Sequence, residues 1–353
     1  MGFFWQFIKK NTDEVQNSLV EGEIAEKTFK ETAANPAVVA DSGFVMSGED
    51  WEATYLYKIN WINNPDGTVT YNGEKYKRNA HVKAILCAGI DKNKSMQYTS
   101  ENDYPGNADG IFLIAHDTSD NSVRIFMIPR DSMAECEVSA ADENPRILFD
   151  HLSVSFGMGD GGKTSAEILR TTASGLLCNL KIDNYLIGDI SLLADVNDMV
   201  GGVEVTVPND ELEKVNPEWT TGRRIVLKGD EAERFLRHRN SDDEGSPVTR
   251  MGQHEQYISG FYNALKEKSR SDSNIVSRLA DKVDATILSD MSKGEYEKLA
   301  IDGIQSDFNS DDIFSFPGTM TVGEMDGELY DEVYLDYTQV IPMLLENFYR
   351  KTE

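Results

Sequence analysis

Four basic side chains, Arg234, Arg237, His238 and Arg239, fall within the string "RFLRHRNSDDEG", and Asp242, Asp243 and Glu244 follow at once. Guanidinium groups set this close repel one another unless an anion lies between them. Arginine's planar fork suits phosphate oxygens through charge-assisted hydrogen bonds. A helix C-terminus meeting its macrodipole needs only one basic residue, so the cluster is richer than capping requires. On a helix, Arg237 and Arg239 would point roughly 200° apart, whereas in an extended exit their side chains share a face.

A second set of charges sits where apolar strands end. In "RIFMIPRDS" a buried-type run leads into Arg130 and Asp131, while Asp91 closes the run "AILCAGID" and Asp109 opens the next one. Ligands of α/β sheets gather at such strand ends. Carboxylates there, facing several arginines, are the arrangement expected for a divalent metal bridging a diphosphate. Each residue alone is more often a solvated loop charge; their common placement shifts the balance toward a site. Other catalytic sets are missing: there is no GxSxG elbow and no HExxH. His81, His116, His151, His238 and His254 lack metal-ligand spacing, and Cys87, Cys136 and Cys178 form no CxxC. The string "GMGDGGKTS" lacks the GxxxxGK spacing of a phosphate loop and reads as a turn that opens a helix.

The elements that must hold these residues follow from periodicity. "TVTYNGEKYKRN" predicts a hairpin about Asn72-Gly73, which makes residues 66–80 the entry to the main domain. Residues 1–65 then form an accessory region of helix and loop, with helix-forming residues over "NTDEVQNSLVEGEIAEKTFKETAAN". "VKAILCAGID" is a buried strand, "DGIFLIAHDTSDNSVRIFMIPRDS" two strands, and "KTSAEILRTTASGLL" a helix burying Ile168, Leu169, Thr172 and Leu176. "NYLIGDI" and "VEVTV" are strands flanking the helix "SLLADVNDMV", which Gly201-Gly202 ends. A helix runs from Gly229-Asp230 to about Phe235, and two more cover residues 251–268 and 273–306. The strands "DIFSFPGTMTV" and "YDEVYLDY" and the helix "TQVIPMLLENFYRK" complete the chain. Strands alternating with helices predict a three-layer α/β/α sandwich around a mixed central sheet.

With a net charge of −27, the average field repels nucleic acid, and no nucleic-acid partner is expected. A local basic site survives that field because screening confines it to about 10 Å. The opening "MGFFWQFIKKN" is too short to span a bilayer and lacks a signal-peptide plan. It reads either as the start of an amphipathic helix or as the remnant of a membrane anchor.

In order along the chain stand "ILCAGID", "ADGIFLIAHD", "VRIFMIPRDS", "SVSFGMGDGG", "DMVGGVEVTVP", "LKGDEAERFLRHRNSDD" and "TRMGQHEQYISGF". Together these strings, over about residues 80–270, resemble the LytR-CpsA-Psr (LCP) family of bacterial cell-wall glycopolymer ligases. The resemblance implies an enzyme held at the outer membrane face of a Gram-positive bacterium by one N-terminal helix, outside the cytoplasm. Such an enzyme takes a polyprenyl-pyrophosphate-linked glycan in a hydrophobic tunnel and transfers the glycan with one phosphate to peptidoglycan. Mg²⁺ or Mn²⁺ sits on the diphosphate. By the resemblance, Asp91 and Asp109 are the metal ligands, and Arg130, Arg237 and Arg239 hold the diphosphate, with Asp91 among the catalytic groups. Asp131 and Arg250 join the substrate-binding set, as does Gln253, which stands where the family's R-x-x-R-Q pattern has its second arginine. Helix "QYISGFYNALKEK" would wall the tunnel.

The departures remove positive charge. Asn107-Ala108-Asp109-Gly110 replaces the family's Arg-Ser-Asp-Thr, His254 replaces a glutamine, and "KNKSMQYTSENDYPGN" is inserted between Asp91 and Asp109. Two other functions therefore stay open: a non-catalytic polyprenyl-pyrophosphate or glycan-binding protein, and a metal-dependent hydrolase releasing the glycan to water.

Overall fold

The computed structural model describes residues 60–92, 96, 104–139, 145–238, 246–306, 308–325 and 328–352. The helix expected within residues 11–35 and the side chain of Arg239 lie outside them. The chain enters through β1 (Trp61–Asn63), β2 (Thr68–Tyr71) and β3 (Glu74–Arg78). The turn between the last two places Asn72 and Gly73 at φ 51° and 80°, the left-handed pair that a two-residue hairpin loop demands. Trp61 pairs with Tyr71, so the entry sheet already begins at Trp61.

Next come β4 (Val82–Ile90), β5 (Ala108–Asp117) and β6 (Ser122–Ile128), then a hairpin of β7 (Met133–Ser139) and β8 (Pro145–His151). Helix α1 (Lys163–Leu176), β9 (Asn184–Asp189) and α2 (Leu192–Met199) follow. A second hairpin, β10 (Val203–Thr206) and β11 (Arg224–Leu227), leads to α3 (Glu231–Arg237), α4 (Ser246–Ser271) and α5 (Ile275–Asp284). The last elements are β12 (Leu288–Ser289), α6 (Lys293–Gln305), β13 (Ile313–Ser315), β14 (Gly318–Met325), β15 (Glu328–Leu335), α7 (Tyr337–Phe348) and β16 (Tyr349–Lys351).

The central sheet has the order β12-β9-β4-β5-β6-β13. It is mixed: β4 runs parallel to β9 and β6 to β13, while β5 lies antiparallel to both neighbours. Strand β4 is apolar on both faces because both are covered. On one side Leu86, Ala88 and Ile90 meet Ala166, Leu169 and Ala173 of α1 and Val340, Ile341 and Leu344 of α7. On the other, Ile85 and Cys87 face Ala280 of α5 and Tyr296 and Leu299 of α6. That is the expected three-layer sandwich.

Two expected elements are each split by a local signal. The helical run over 273–306 breaks after α5, where Leu288 and Ser289 pair with Ile187 and Leu186 at the sheet edge. Ser292 then restarts the helix through a reciprocal capping box with Glu295. The run "DIFSFPGTMTV" divides into β13 and β14 around Pro317, which has no N–H to give a ladder.

Candidate functional site

The site gathers at the end of the sheet where β4 and β6 finish and β5 begins. Along β4 and β5, Gly89 pairs with Gly110, but Ile90 pairs with Ala108, so Asp109 is an extra residue in a bulge. A bulge re-aims the side chain it carries. Here it turns Asp109 toward Arg130, just past the end of β6, and Arg250 of α4. Asp91 is fixed from the same side. The Asn107 N–H donates to its Oδ1 at 2.6 Å, and the Asp91 N–H donates back to the Asn107 carbonyl at 3.0 Å. Gly106 closes over this clamp at φ +92°, where a Cβ would lie 2.5 Å from Ile90 Cγ2 and 3.1 Å from Asp91 Oδ1. Only glycine permits both.

Arg130 sits between two carboxylates. Its Nη1 pairs with Asp109 and its Nε donates to Asp131 Oδ1 at 2.9 Å. Burial works against the cation, yet Asp131 and Asp109 more than offset it and hold the Arg130 pKa above its ordinary value. Asp131 is 5% exposed, and its Oδ2 is buried without a hydrogen-bond partner among the described residues. Arg250, also buried, brings its Nη1 to 4.0 Å from Asp109. Arg237 reaches the rim from the end of α3, where Glu233 one turn earlier accepts from its Nη1 at 3.1 Å. Asp91 has its pKa raised, first by burial and also by the charge of Asp109, against the pull of Arg130 and Arg237.

Gln253 needs a correction of placement. It is almost wholly buried, and its amide nitrogen donates to the carbonyls of Phe235 at 2.6 Å and His238 at 3.3 Å. It therefore fixes the backbone that carries Arg237, while its neighbour His254 lines the cavity in its place. The His254 Nε2 lies 3.3 Å from the Leu236 carbonyl, and burial followed by the Arg250 charge lowers its pKa to about 4. The ring is neutral at pH 7, and a donor at Nε2 leaves Nδ1 as a lone pair. The glycine-rich string serves a helix start: Asp160 accepts from the Gly162 and Ser165 N–H groups and from Thr164 Oγ1.

Behind these charges opens a cavity of about 570 Å³. Asp109, Arg130, Asp131, Arg237 and Arg250 stand at its polar end. The remainder is mostly apolar, Asp189, His254 and Glu297 apart, with Gly89, Phe112 and Ile114 of the sheet on one wall and Tyr257, Ile258 and Phe261 of α4 on another. Three guanidiniums and three carboxylates, Asp91 included, cancel one another at the mouth. The arrangement suits an amphiphile with a long apolar tail and an anionic head that brings its own counter-cation.

Such a layered fold, with charged strand ends opening onto a largely apolar cavity, defines a three-layer α/β protein with an amphiphilic site. The LytR_cpsA_psr family profile matches residues 58–338, and the chain belongs to that family. It is 27% identical over 214 residues to the polyisoprenyl-teichoic acid–peptidoglycan teichoic acid transferase TagV of Bacillus subtilis, covering 58% of this chain and 50% of that protein. With the corresponding transferase TagU of Bacillus cereus it shares 26% over 171 residues, 48% of each chain. The chain thus spans about half the length of the curated relatives it matches. In fold it is similar to the crystal structure of B. subtilis TagV (TM-score 0.57, 18% identity, 76% of this chain and 98% of that one). Protein gbs0355 of Streptococcus agalactiae gives TM-score 0.59 at 17% identity, over 77% of this chain and 91% of that one.

Two residues of the site escape a reading by motif. Asn107 clamps Asp91 through its backbone, which no side-chain pattern reveals. Tyr104, from the inserted segment, is half exposed yet close enough for Asp91 and Asp109, after burial, to push its phenol up to about 12. The inserted string "YPGN" bears no chemical signature of its own.

Proposed function

We propose that this protein transfers a glycopolymer, with one phosphate, from a polyprenyl-pyrophosphate carrier to peptidoglycan at the outer face of a bacterial membrane. The observation that carries this reading is the continuity of the Asp109–Arg130–Asp131–Arg237–Arg250 mouth with one apolar cavity. A diphosphate at the mouth would place its lipid in the cavity and its glycan toward solvent. Named relatives that transfer teichoic acid to peptidoglycan support the same chemistry.

Arg130 and Arg250, both buried, would hold non-bridging oxygens, where charge-assisted bonds in a dry site are strongest. Arg237, with Glu233 steadying it, would meet the diphosphate from the rim. The acceptor hydroxyl attacks the glycan-bearing phosphorus; the bond from that phosphorus to the bridging oxygen breaks, and polyprenyl phosphate leaves. The hydroxyl proton would pass to a carboxylate of the mouth, to Asp131 where Asp91 ligates the ion. Mg²⁺ or Mn²⁺ would be held by Asp91 and Asp109, and the orphaned Asp131 Oδ2 favours a cation nearby; these are the oxygen ligands a hard ion takes. The ion's chemistry would be to offset the diphosphate charge that the balanced side chains leave uncompensated.

The membrane attachment belongs to the same proposal. No helix among the described residues is long and apolar enough to cross a bilayer. The test incubates the protein with a polyprenyl-pyrophosphate disaccharide, Mg²⁺ and peptidoglycan fragments, and identifies products by mass spectrometry. Glycan phosphate joined to the fragment is expected. Free glycan phosphate alone would establish a hydrolase, and binding without turnover a carrier protein.

A further inference from the structure

The turn at residues 129–132 carries Arg130 and Asp131 between β6 and β7, and each of its four carbonyls is held. Ser132 N–H donates to the Pro129 carbonyl at 3.0 Å, within the turn itself. The other three carbonyls accept from two flanking segments. On one side Ser153 and Leu152 donate to the Arg130 and Ser132 carbonyls at 2.9 and 2.8 Å. On the other, Val333 of β15 donates to the Asp131 carbonyl at 2.8 Å. The turn therefore hangs between the end of β8 and β15. Whatever fixes those two segments to each other also fixes Arg130 and Asp131.

His151 is that cross-tie. It ends β8, directly before Leu152, and its side chain, 14% exposed, lies between two oxygens. Nδ1 is 3.0 Å from Asp150 Oδ1, and Nε2 is 3.0 Å from the carbonyl of Asp331, two residues before Val333. A backbone carbonyl and an ionised carboxylate can only accept. A neutral imidazole has a single N–H and would turn a lone pair on one of these oxygens, whereas the imidazolium satisfies both. The surroundings agree. Burial opposes the charge, but Asp150, the Asp131 charge and the Asp331 carbonyl outweigh it and hold the ring's pKa above its ordinary value. Met133, opposite His151 in the hairpin, is uncharged. From β15 the Tyr330 ring lies against His151 with centroids 6.3 Å apart, and Glu332 is engaged by Tyr334. The turn's own cation, Arg130, is turned to Asp109 and Asp131.

We infer that His151 is a positioning residue: as an imidazolium it ties β8 to β15 and so holds Arg130 and Asp131 in place, and loss of its proton slackens the turn. The consequence for a diphosphate rests on the proposed function; the tie itself does not. A tie made only by the cation is complete below about pH 6.5 and is lost as pH rises through the folded value.

The test follows the wild type, His151→Gln and Asp150→Asn from pH 5.5 to pH 9. Nitrogen-15 NMR gives the protonation state of the ring. Hydrogen exchange at the Leu152, Ser153 and Val333 amides, corrected for intrinsic rate, reads the tie, and calorimetry measures inorganic pyrophosphate with Mg²⁺. In the wild type both ring nitrogens should carry a proton at pH 6. The three amides should exchange about tenfold faster once the ring is neutral, as for the loss of one charge-assisted hydrogen bond, and with the ring's own midpoint. His151→Gln should exchange fast at every pH and bind pyrophosphate about tenfold more weakly at pH 6, a difference that closes by pH 9. Asp150→Asn should move the ring and exchange midpoints to lower pH together, which a histidine that only fills space would not do. A ring with one proton at pH 6, amides that ignore its midpoint, or equal pyrophosphate binding by wild type and His151→Gln overturns the inference. If ring and amides behave as expected while the wild type binds no pyrophosphate at any pH, the proposed function fails and the tie stands.

Discussion

Replacing Asp91 by asparagine should make the protein more stable and less active at once. Asp91 is part-buried and its pKa is raised, first by burial and then by Asp109. A carboxyl group with a raised folded pKa contributes full stability below its unfolded value, and loses it as pH climbs through the folded one. At pH 7 the ionised group therefore costs stability, and Asp91→Asn removes that cost. The amide oxygen still accepts from the Asn107 N–H, though a neutral bond is weaker than the charge-assisted one by about 1 kcal/mol. The net gain should be about 0.5–2 kcal/mol, as for other relieved functional strain. In a protein of this size that is a Tm rise of about 1–3 °C. The assay is differential scanning calorimetry in EDTA between pH 3 and pH 8. The gap should be near zero below about pH 3.9, where the unfolded carboxyl is protonated, and should open as pH rises. Turnover should fall about 10²–10³-fold, the usual loss for one preorganised polar group. Mg²⁺ should stabilise the wild type, by up to ~2.7 kcal/mol at a hundredfold excess over its Kd, and leave the Tm of the variant unmoved. A variant that melts below the wild type at pH 7, or a gap that does not narrow in acid, would refute this account of the Asp91–Asp109 pair.

Removing Arg130 acts oppositely: Arg130→Ala leaves Asp131 and Asp109 without their shared cation, and should cost about 3–5 kcal/mol in a denaturant titration at pH 7. Gly89 lies on the cavity wall with no atom within 4 Å of an added Cβ, so a side chain can leave the strand there and Gly89→Leu should narrow the passage. It should weaken polyprenyl pyrophosphates at least tenfold by calorimetry while inorganic pyrophosphate binds as before. His254, with its pKa lowered to about 4, stabilises the fold above about pH 6.5 and loses that contribution as pH falls toward 4. His254→Gln should flatten the acid limb of the stability curve by up to roughly 3 kcal/mol, and the wild-type ring should titrate near pH 4 by NMR. Gly260→Ala would press a Cβ onto the Glu204 carbonyl oxygen and Val203 Cγ1, with an expected loss of about 1–3 kcal/mol and no change in pyrophosphate affinity.

The layers were legible in the sequence because periodicity reports burial. β4 reads as an unbroken apolar run because both its faces are covered, and α1 shows one face, Ile168-Leu169-Thr172-Leu176, because only one is. The positions of Asp91 and Arg130 were legible for a related reason: a charge that ends an apolar run must stand where the sheet stops. What spacing does not encode is orientation. The bulge that frees Asp109 depends on cross-strand register between Gly89 and Gly110, which a single strand's pattern does not contain. Gln253 and His254 are adjacent on one helix some 100° apart, so a choice between wall and backbone depends on where α3 ends. The hairpin of β7 and β8 was harder still, since its exposed face is apolar and breaks the alternation by which strands are recognised.

The proposed function asks an acidic chain to hold a diphosphate, and the geometry of the mouth bears on that apparent contradiction. Three arginines without counter-charges would bind any anion, inorganic phosphate included. Here each has a carboxylate in reach: Asp109 and Asp131 for Arg130, Asp109 for Arg250 and Glu233 for Arg237. A lone phosphate would have to displace those partners with nothing gained behind it. A lipid diphosphate has two further sources of free energy, the apolar cavity and the cation it brings. At roughly 0.8 kcal/mol for each methylene buried, a few isoprene units exceed the contribution of any single ion pair at the rim. Selectivity then comes from the tail and the metal together, while the balanced charges keep the empty mouth from trapping the wrong anion. On the proposed function, the chain's missing family arginines should sharpen the discrimination between a metal-bound lipid diphosphate and a lone monophosphate, at some loss of absolute affinity.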